Sequence, residues 1–92
     1  MSAEPCISVV LCQALLNLFP GAEMRLTVEA SSVDALINAL DRRWPGMADR
    51  LRDTTPAVRR HINVFCDGKR LGLDSRLVDG AQVFIVTAVS GG

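Results

Sequence analysis

The stretch Val78-Asp79-Gly80-Ala81-Gln82-Val83-Phe84-Ile85-Val86-Thr87-Ala88-Val89-Ser90-Gly91-Gly92 decides how this 92-residue chain is read. Asp79-Gly80 is a turn signal, and the apolar run Gln82-Val83-Phe84-Ile85-Val86 that follows reads as a final strand. The six residues after it offer little to pack. Glycine is costly to order and has no side chain, so the pair Gly91-Gly92 is either frayed chain or backbone meant to enter a narrow channel. At about 3.3 Å per residue, six extended residues reach roughly 20 Å beyond the sheet.

Working back from that strand, His61-Ile62-Asn63-Val64-Phe65-Cys66 alternates as a strand, and Asp67-Gly68 predicts a tight hairpin into a short return at Lys69-Arg70-Leu71. Near the start, Cys6-Ile7-Ser8-Val9-Val10-Leu11-Cys12 reads as a strand buried on much of both faces. Ala22, Met24, Leu26 and Val28 alternate with Glu23, Arg25, Thr27 and Glu29, which predicts a half-exposed strand and a hairpin with the first. Between them, residues 13–21 fit either a helical turn or a packed loop, with Leu15, Leu16, Leu18 and Phe19 as core or as contact surface.

The clearest element is a helix. Ser31 or Ser32 supplies its cap, and Ser31-x-x-Asp34 is a weak capping box. Val33, Leu36, Ile37, Leu40 and Trp44 fall within an arc of about 100°, and Pro45-Gly46 stops the helix. Residues 47–51 suggest one more short turn and residues 53–56 a loop. Paired strands around one amphipathic helix predict a two-layer α+β domain.

Composition narrows the function. Hydrophobic residues are 49% and charged residues 22% of the chain, which supports a packed core and argues against wholesale disorder. Ten basic residues balance ten acidic ones, so the basic footprint of a nucleic-acid binder is missing. The longest mostly apolar stretch, residues 7–19, is too short to span a bilayer, and the chain opens without the positive charge of a secretory signal. Three cysteines exclude a fully paired disulfide framework and a four-cysteine zinc site. The expectation is a reduced, cytoplasmic protein with no metal, no membrane partner and no nucleic acid.

The ending, the helix closed by Trp44-Pro45-Gly46, and the strand Ile62-Asn63-Val64-Phe65 before a polar turn resemble the MoaD/ThiS family of sulfur carriers in residues and in order. The resemblance implies a β-grasp, ubiquitin-like fold: a mixed sheet of four to five strands packed on one main helix. It implies a β-grasp domain over residues 1–86 and a C-terminal tail over residues 87–92. It also implies that an ATP-dependent adenylating enzyme activates the Gly92 carboxylate. A sulfur donor then displaces AMP to leave a thiocarboxylate, and a biosynthetic enzyme accepts the sulfur for molybdopterin, cysteine or another thio-metabolite. Thr87, Ala88, Val89, Ser90 and Gly91 would thread into the partner's active site. The carrier would bind no cofactor, with ATP belonging to the partner, and would turn nothing over alone, although it could serve as the small subunit of a molybdopterin synthase. Two departures stand out. Thr87-Ala88 replaces a proline often seen before the last residues, and Cys66-Asp67-Gly68 replaces an Asn-Gly turn.

Two other functions stay open: a ubiquitin-like modifier joined through Gly92 to target lysines, and a non-catalytic interaction module. Lys69 is the only lysine, so self-chains through lysine would have a single linkage. Of the remaining candidates, the three cysteines read as buried structural thiols. His61 and Cys66, five apart on one strand, fall on opposite faces and make no nucleophile–base pair. Arg42-Arg43, Arg50-x-Arg52 and Arg59-Arg60, interleaved with Asp41, Asp49 and Asp53, read as a solvated face, with docking to an acidic partner second.

Overall fold

The computed structural model describes residues 4–54, 58 and 61–87. Five strands form one sheet: β1 (Cys6–Leu11), β2 (Arg25–Glu29), β3 (Ile62–Cys66), β4 (Lys69–Arg70) and β5 (Gln82–Thr87). Their order is β2-β1-β5-β3-β4, with β1 and β5 parallel at the centre and every other neighbour antiparallel. Among the described residues there are three helices: α1 (Gln13–Leu18), α2 (Val33–Arg43) and α3 (Met47–Leu51). This is the two-layer α+β arrangement that the pattern predicted, with the mixed sheet on one main helix that the resemblance implied.

The core is apolar throughout, because no polar or charged residue among those described is buried. Ile7, Val9 and Leu11 of β1, Leu26 and Val28 of β2, Ile62 and Val64 of β3, and Val83 and Ile85 of β5 face Val33, Leu36, Ile37 and Leu40 of α2. Each such side chain contributes about 1.5–3 kcal/mol of transfer free energy. The period-2 pattern is strict, and this corrects the expectation that β1 is buried on both faces: Cys6 and Ser8 are exposed and Val10 is only half-buried. A single layer of helices covers one side of the sheet and leaves the other open. The early hairpin forms as expected, with Val10 opposite Arg25 and Cys6 opposite Glu29.

α2 begins where a serine cap predicts, at Ser32, whose Oγ accepts from the Ala35 N–H at 3.1 Å. The capping box on Ser31 does not form, because Ala35 occupies the third helical position of a cap at Ser32 and Asp34 instead accepts from Arg52 Nη1. The first two helical N–H groups are satisfied from outside, by Ser75 O (3.1 Å) and Leu73 O (3.1 Å). All the orphan donors of the first turn therefore have partners. Trp44 is the C-cap rather than a helical residue, and Gly46, at φ +100°, carries the chain into α3 in a left-handed conformation that side chains resist.

The hairpin between β3 and β4 has two loop residues, Asp67 and Gly68, both at positive φ (53° and 78°), as a type I′ turn requires. Aspartate tolerates that region better than most residues. The ambiguous segment after β1 resolves into α1. Leu15 joins the core, Leu16 and Phe19 are half-buried, and Leu18 stays 48% exposed. Packing, rather than propensity, divides this leucine cluster.

Candidate functional site

The tail grows out of the middle of the sheet. β5 lies between β1 and β3, so its end is held from both sides: Thr87 pairs with Ile62, and the Cys12 N–H donates to Ile85 O at 3.1 Å. The sequence placed Thr87 at the start of the tail and ended the domain at Val86. Thr87 is instead the last residue of β5, because Ile62 extends the ladder to it. Ala88, Val89, Ser90, Gly91 and Gly92 lie outside the described residues, as do Arg59 and Arg60.

The alignment of β5 is set at its other end. Asp79 Oδ1 accepts from the Cys6 N–H at 2.7 Å, the Gly80 N–H donates to Cys6 O at 2.9 Å, and the Ser8 N–H donates to Ala81 O at 2.9 Å. Asp79-Gly80 therefore does more than turn the chain. It clips the incoming segment to the start of β1 and puts Val9 beside Val83 and Leu11 beside Ile85. That register points the two inward residues of β5 at the core and brings the chain out beside Cys12.

Cys12 stands at the root of the tail, with Sγ 3.9 Å from Thr87 Oγ1. Partial burial alone would raise its pKa. Hydrogen bonds from the Leu15 N–H, the Thr87 N–H and hydroxyl, and the Ala14 N–H outweigh burial and hold the thiol below its ordinary value. Cys66 shifts the other way: burial pushes it up, and the neighbouring Asp67 carboxylate adds to that by repelling the thiolate. All three cysteines are free, and the expectation of buried thiols is corrected: Cys6 is exposed on the open sheet face, while Cys12 and Cys66 are half-buried.

Beside Thr87 lies a groove of about 770 Å³. Leu15 and Ile62 floor it, Leu18 and Phe19 wall it, and Arg50 and His61 supply polar groups. His61 thus faces the tail root, whereas Cys66 lines a separate depression with Asp67 and Lys69. The two residues do not meet, as their spacing indicated. The opposite wall depends on α3, which Asp41 secures by accepting from the Gly46 and Ala48 N–H groups, both at 3.0 Å. Asp41 had read as one of several solvated acids; no local pattern marks an acid that caps a helix seven residues on.

Among the described residues no group of three His, Cys, Asp or Glu side chains is placed to hold a metal ion. No helix among them is long and apolar enough to cross a membrane. What the arrangement presents is a central strand that ends, among the described residues, at Thr87, with a half-apolar groove beside it.

Residues 17–92 match the family model described as the ThiS family. The chain belongs to the ThiS family. This ThiS-family protein also resembles solved structures over nearly its whole length. A chain of the Amycolatopsis orientalis BexX/CysO complex superposes with a TM-score of 0.80 at 26% identity, covering 94% of this chain and 99% of that one. SAMP1 from Haloferax volcanii gives 0.77 at 21% identity (95% and 99% covered), and Urm1 from Trypanosoma brucei gives 0.68 at 23% identity (100% of both). At those identities the last two show the fold alone. No curated protein matches the sequence. The protein thus has the β-grasp, ubiquitin-like fold and belongs to a family of sulfur carriers, as the resemblance implied.

Proposed function

We propose that this ThiS-family protein carries sulfur as a thiocarboxylate on Gly92. The observation that carries the reading is the family match, which extends to the glycine pair, over residues 17–92. A carboxylate is a poor electrophile while ionised, as it is at neutral pH. An adenylating partner transfers AMP from ATP to the Gly92 carboxylate and releases pyrophosphate. A sulfide sulfur then attacks the acyl carbon, the acyl–phosphate bond breaks, and AMP departs to leave a thiocarboxylate. Where the donor is a persulfide, the first product is an acyl disulfide. A thiol then cleaves its S–S bond, supplying the two electrons and leaving as a disulfide with the donor. The sulfur so held is delivered to an electrophilic metabolite on a second enzyme, in making molybdopterin, cysteine or another thio-metabolite. The chain's own contribution is positional. β5 anchors the root, Gly91 and Gly92 admit backbone to a narrow cleft, and the partners provide the catalytic groups.

A second reading, conjugation of Gly92 to target lysines, draws support from neighbours described as small archaeal modifier protein 1. Both readings share the adenylate and part at the nucleophile, sulfur or amine. The deciding experiment is mass spectrometry of the intact protein and of its C-terminal peptide after co-production with the activating enzyme of the same genome. The expected result is one oxygen replaced by sulfur, localised to the peptide carrying Gly92. Localisation matters because oxidation of Met or Cys has the same nominal mass. Higher-mass conjugates with branched Gly-Gly remnants on lysine would favour the modifier. An unmodified Gly92, with the enzyme active on another carrier, overturns both.

A further inference from the structure

The strand registers line up five residues in one row across the open face of the sheet. Arg25 on β2 is opposite Val10 on β1, Val10 is beside Phe84 on β5, Phe84 is opposite Phe65 on β3, and Phe65 is opposite Arg70 on β4. The inward side chains of β1, β3 and β5 are buried against α2, so by the period-2 alternation this row points away from the core. Phe84 is 40% exposed, and Val10 and Phe65 are half-buried. The row is therefore an apolar strip of three side chains with an arginine at each end and no acid within it. Among the described residues neither Arg25 nor Arg70 makes an ion pair. Arg25 also edges a shallow depression of about 220 Å³ shared with Ser8, Val10, Thr27 and Gln82, open to a short side chain from outside.

We propose that Arg25 and Arg70 are specificity-determining residues: a two-ended clamp that selects a partner presenting an apolar ridge flanked by two carboxylates. Four strand spacings separate the arginines, about 19 Å at roughly 4.8 Å each. The matching carboxylates then stand about 13 residues apart on a helix. The apolar strip supplies unselective contact area, whereas charges at its rim govern encounter rate and partner choice. A guanidinium at each end can also grip a carboxylate bidentately. The inference rests on the proposed function in its choice of occupant, the adenylating enzyme. Phe84 lies three residues before Thr87 on the same strand. An enzyme that receives the residues after Thr87 stands against this end of the sheet, and at Phe84 the other side of the strand is the buried core.

The probe is the ATP-dependent activating enzyme of the same genome. Pyrophosphate release is measured against carrier concentration for the wild type, Arg25→Glu/Arg70→Glu and Arg25→Lys/Arg70→Lys, with thermal unfolding as the folding control. Charge reversal is expected to raise KM at least about tenfold with kcat little changed, equivalent to about 1.4 kcal/mol. The lysine pair should stay within about threefold of wild type, and wild-type KM should climb with salt. Separately, calorimetric titration of the enzyme with carrier lacking Gly91 and Gly92 reads docking without chemistry. The truncated carrier should bind, and charge reversal in that background should weaken binding at least about tenfold. If full-length carrier releases no pyrophosphate while the truncated one binds in an arginine-dependent way, the thiocarboxylate reading falls and the clamp stands. Truncated carrier that does not bind, or a folded reversal variant with unchanged KM and affinity, overturns the clamp.

Discussion

Replacing Asp41 by alanine should loosen the helix that walls the tail groove. Asp41 Oδ1 accepts from the Gly46 and Ala48 N–H groups at 3.0 Å each, and Ala48 lies in the first turn of α3. The carboxylate thus acts as a cap donated from the preceding helix, favoured by the positive end of α3. An N-cap side chain contributes about 0.5–2 kcal/mol, and hydrogen bonds to a charged group lie at the upper end of such values. The Gly46 bond is exposed to solvent, which discounts it, so Asp41→Ala should cost about 1–2 kcal/mol. For a domain of this size each kcal/mol lowers Tm by about 4–8 °C, giving a drop of roughly 4–16 °C. Asp41→Asn keeps an acceptor oxygen and should recover more than half of the loss. Urea and thermal unfolding by circular dichroism measure both variants, and amide exchange at Gly46 and Ala48 should quicken in Asp41→Ala alone. An alanine variant within about 0.5 kcal/mol of wild type, the range of an ordinary surface change, would refute the reasoning. So would an asparagine variant as unstable as the alanine one.

Two further outcomes follow from the same geometry. Ser32→Ala removes the acceptor for the Ala35 N–H and should cost about 1 kcal/mol in urea unfolding, with Ser32→Asp restoring most of it. The pH profile of alkylation, read by mass spectrometry at each cysteine, should rise for Cys12 at lower pH than for Cys66. The thiolate is the reactive form; hydrogen bonds at Cys12 favour it, and burial with the Asp67 charge disfavours it at Cys66. Asp67→Asn removes that charge while keeping a residue suited to positive φ, so the Cys66 profile should shift down and the Cys12 profile should not.

The order strand, strand, helix, strand, short strand, strand was legible because each element has a one-dimensional signature. Leu26 and Val28 alternate with Arg25, Thr27 and Glu29, Val33 to Leu40 repeat at helical spacing, and Asp67-Gly68 and Pro45-Gly46 break the chain where backbone geometry demands it. The Gly-Gly stretch and the family resemblance were equally readable, since they depend on residue identity alone. Long-range pairing leaves no such mark. That β5 runs parallel to β1 and that Asp79 clips the two strands together are settled by contacts between residues more than 70 positions apart, and that Thr87 still belongs to the ladder is settled by Ile62 on a different strand. The fate of the Leu15–Phe19 cluster depended on what α3 and β3 bring beside it, and Asp41 became a cap only when Gly46 turned the chain back. The row of Arg25, Val10, Phe84, Phe65 and Arg70 is the clearest case. Its members are scattered along the chain, and only strand register, which shifts every side chain to the other face if it slips by one residue, could bring them together.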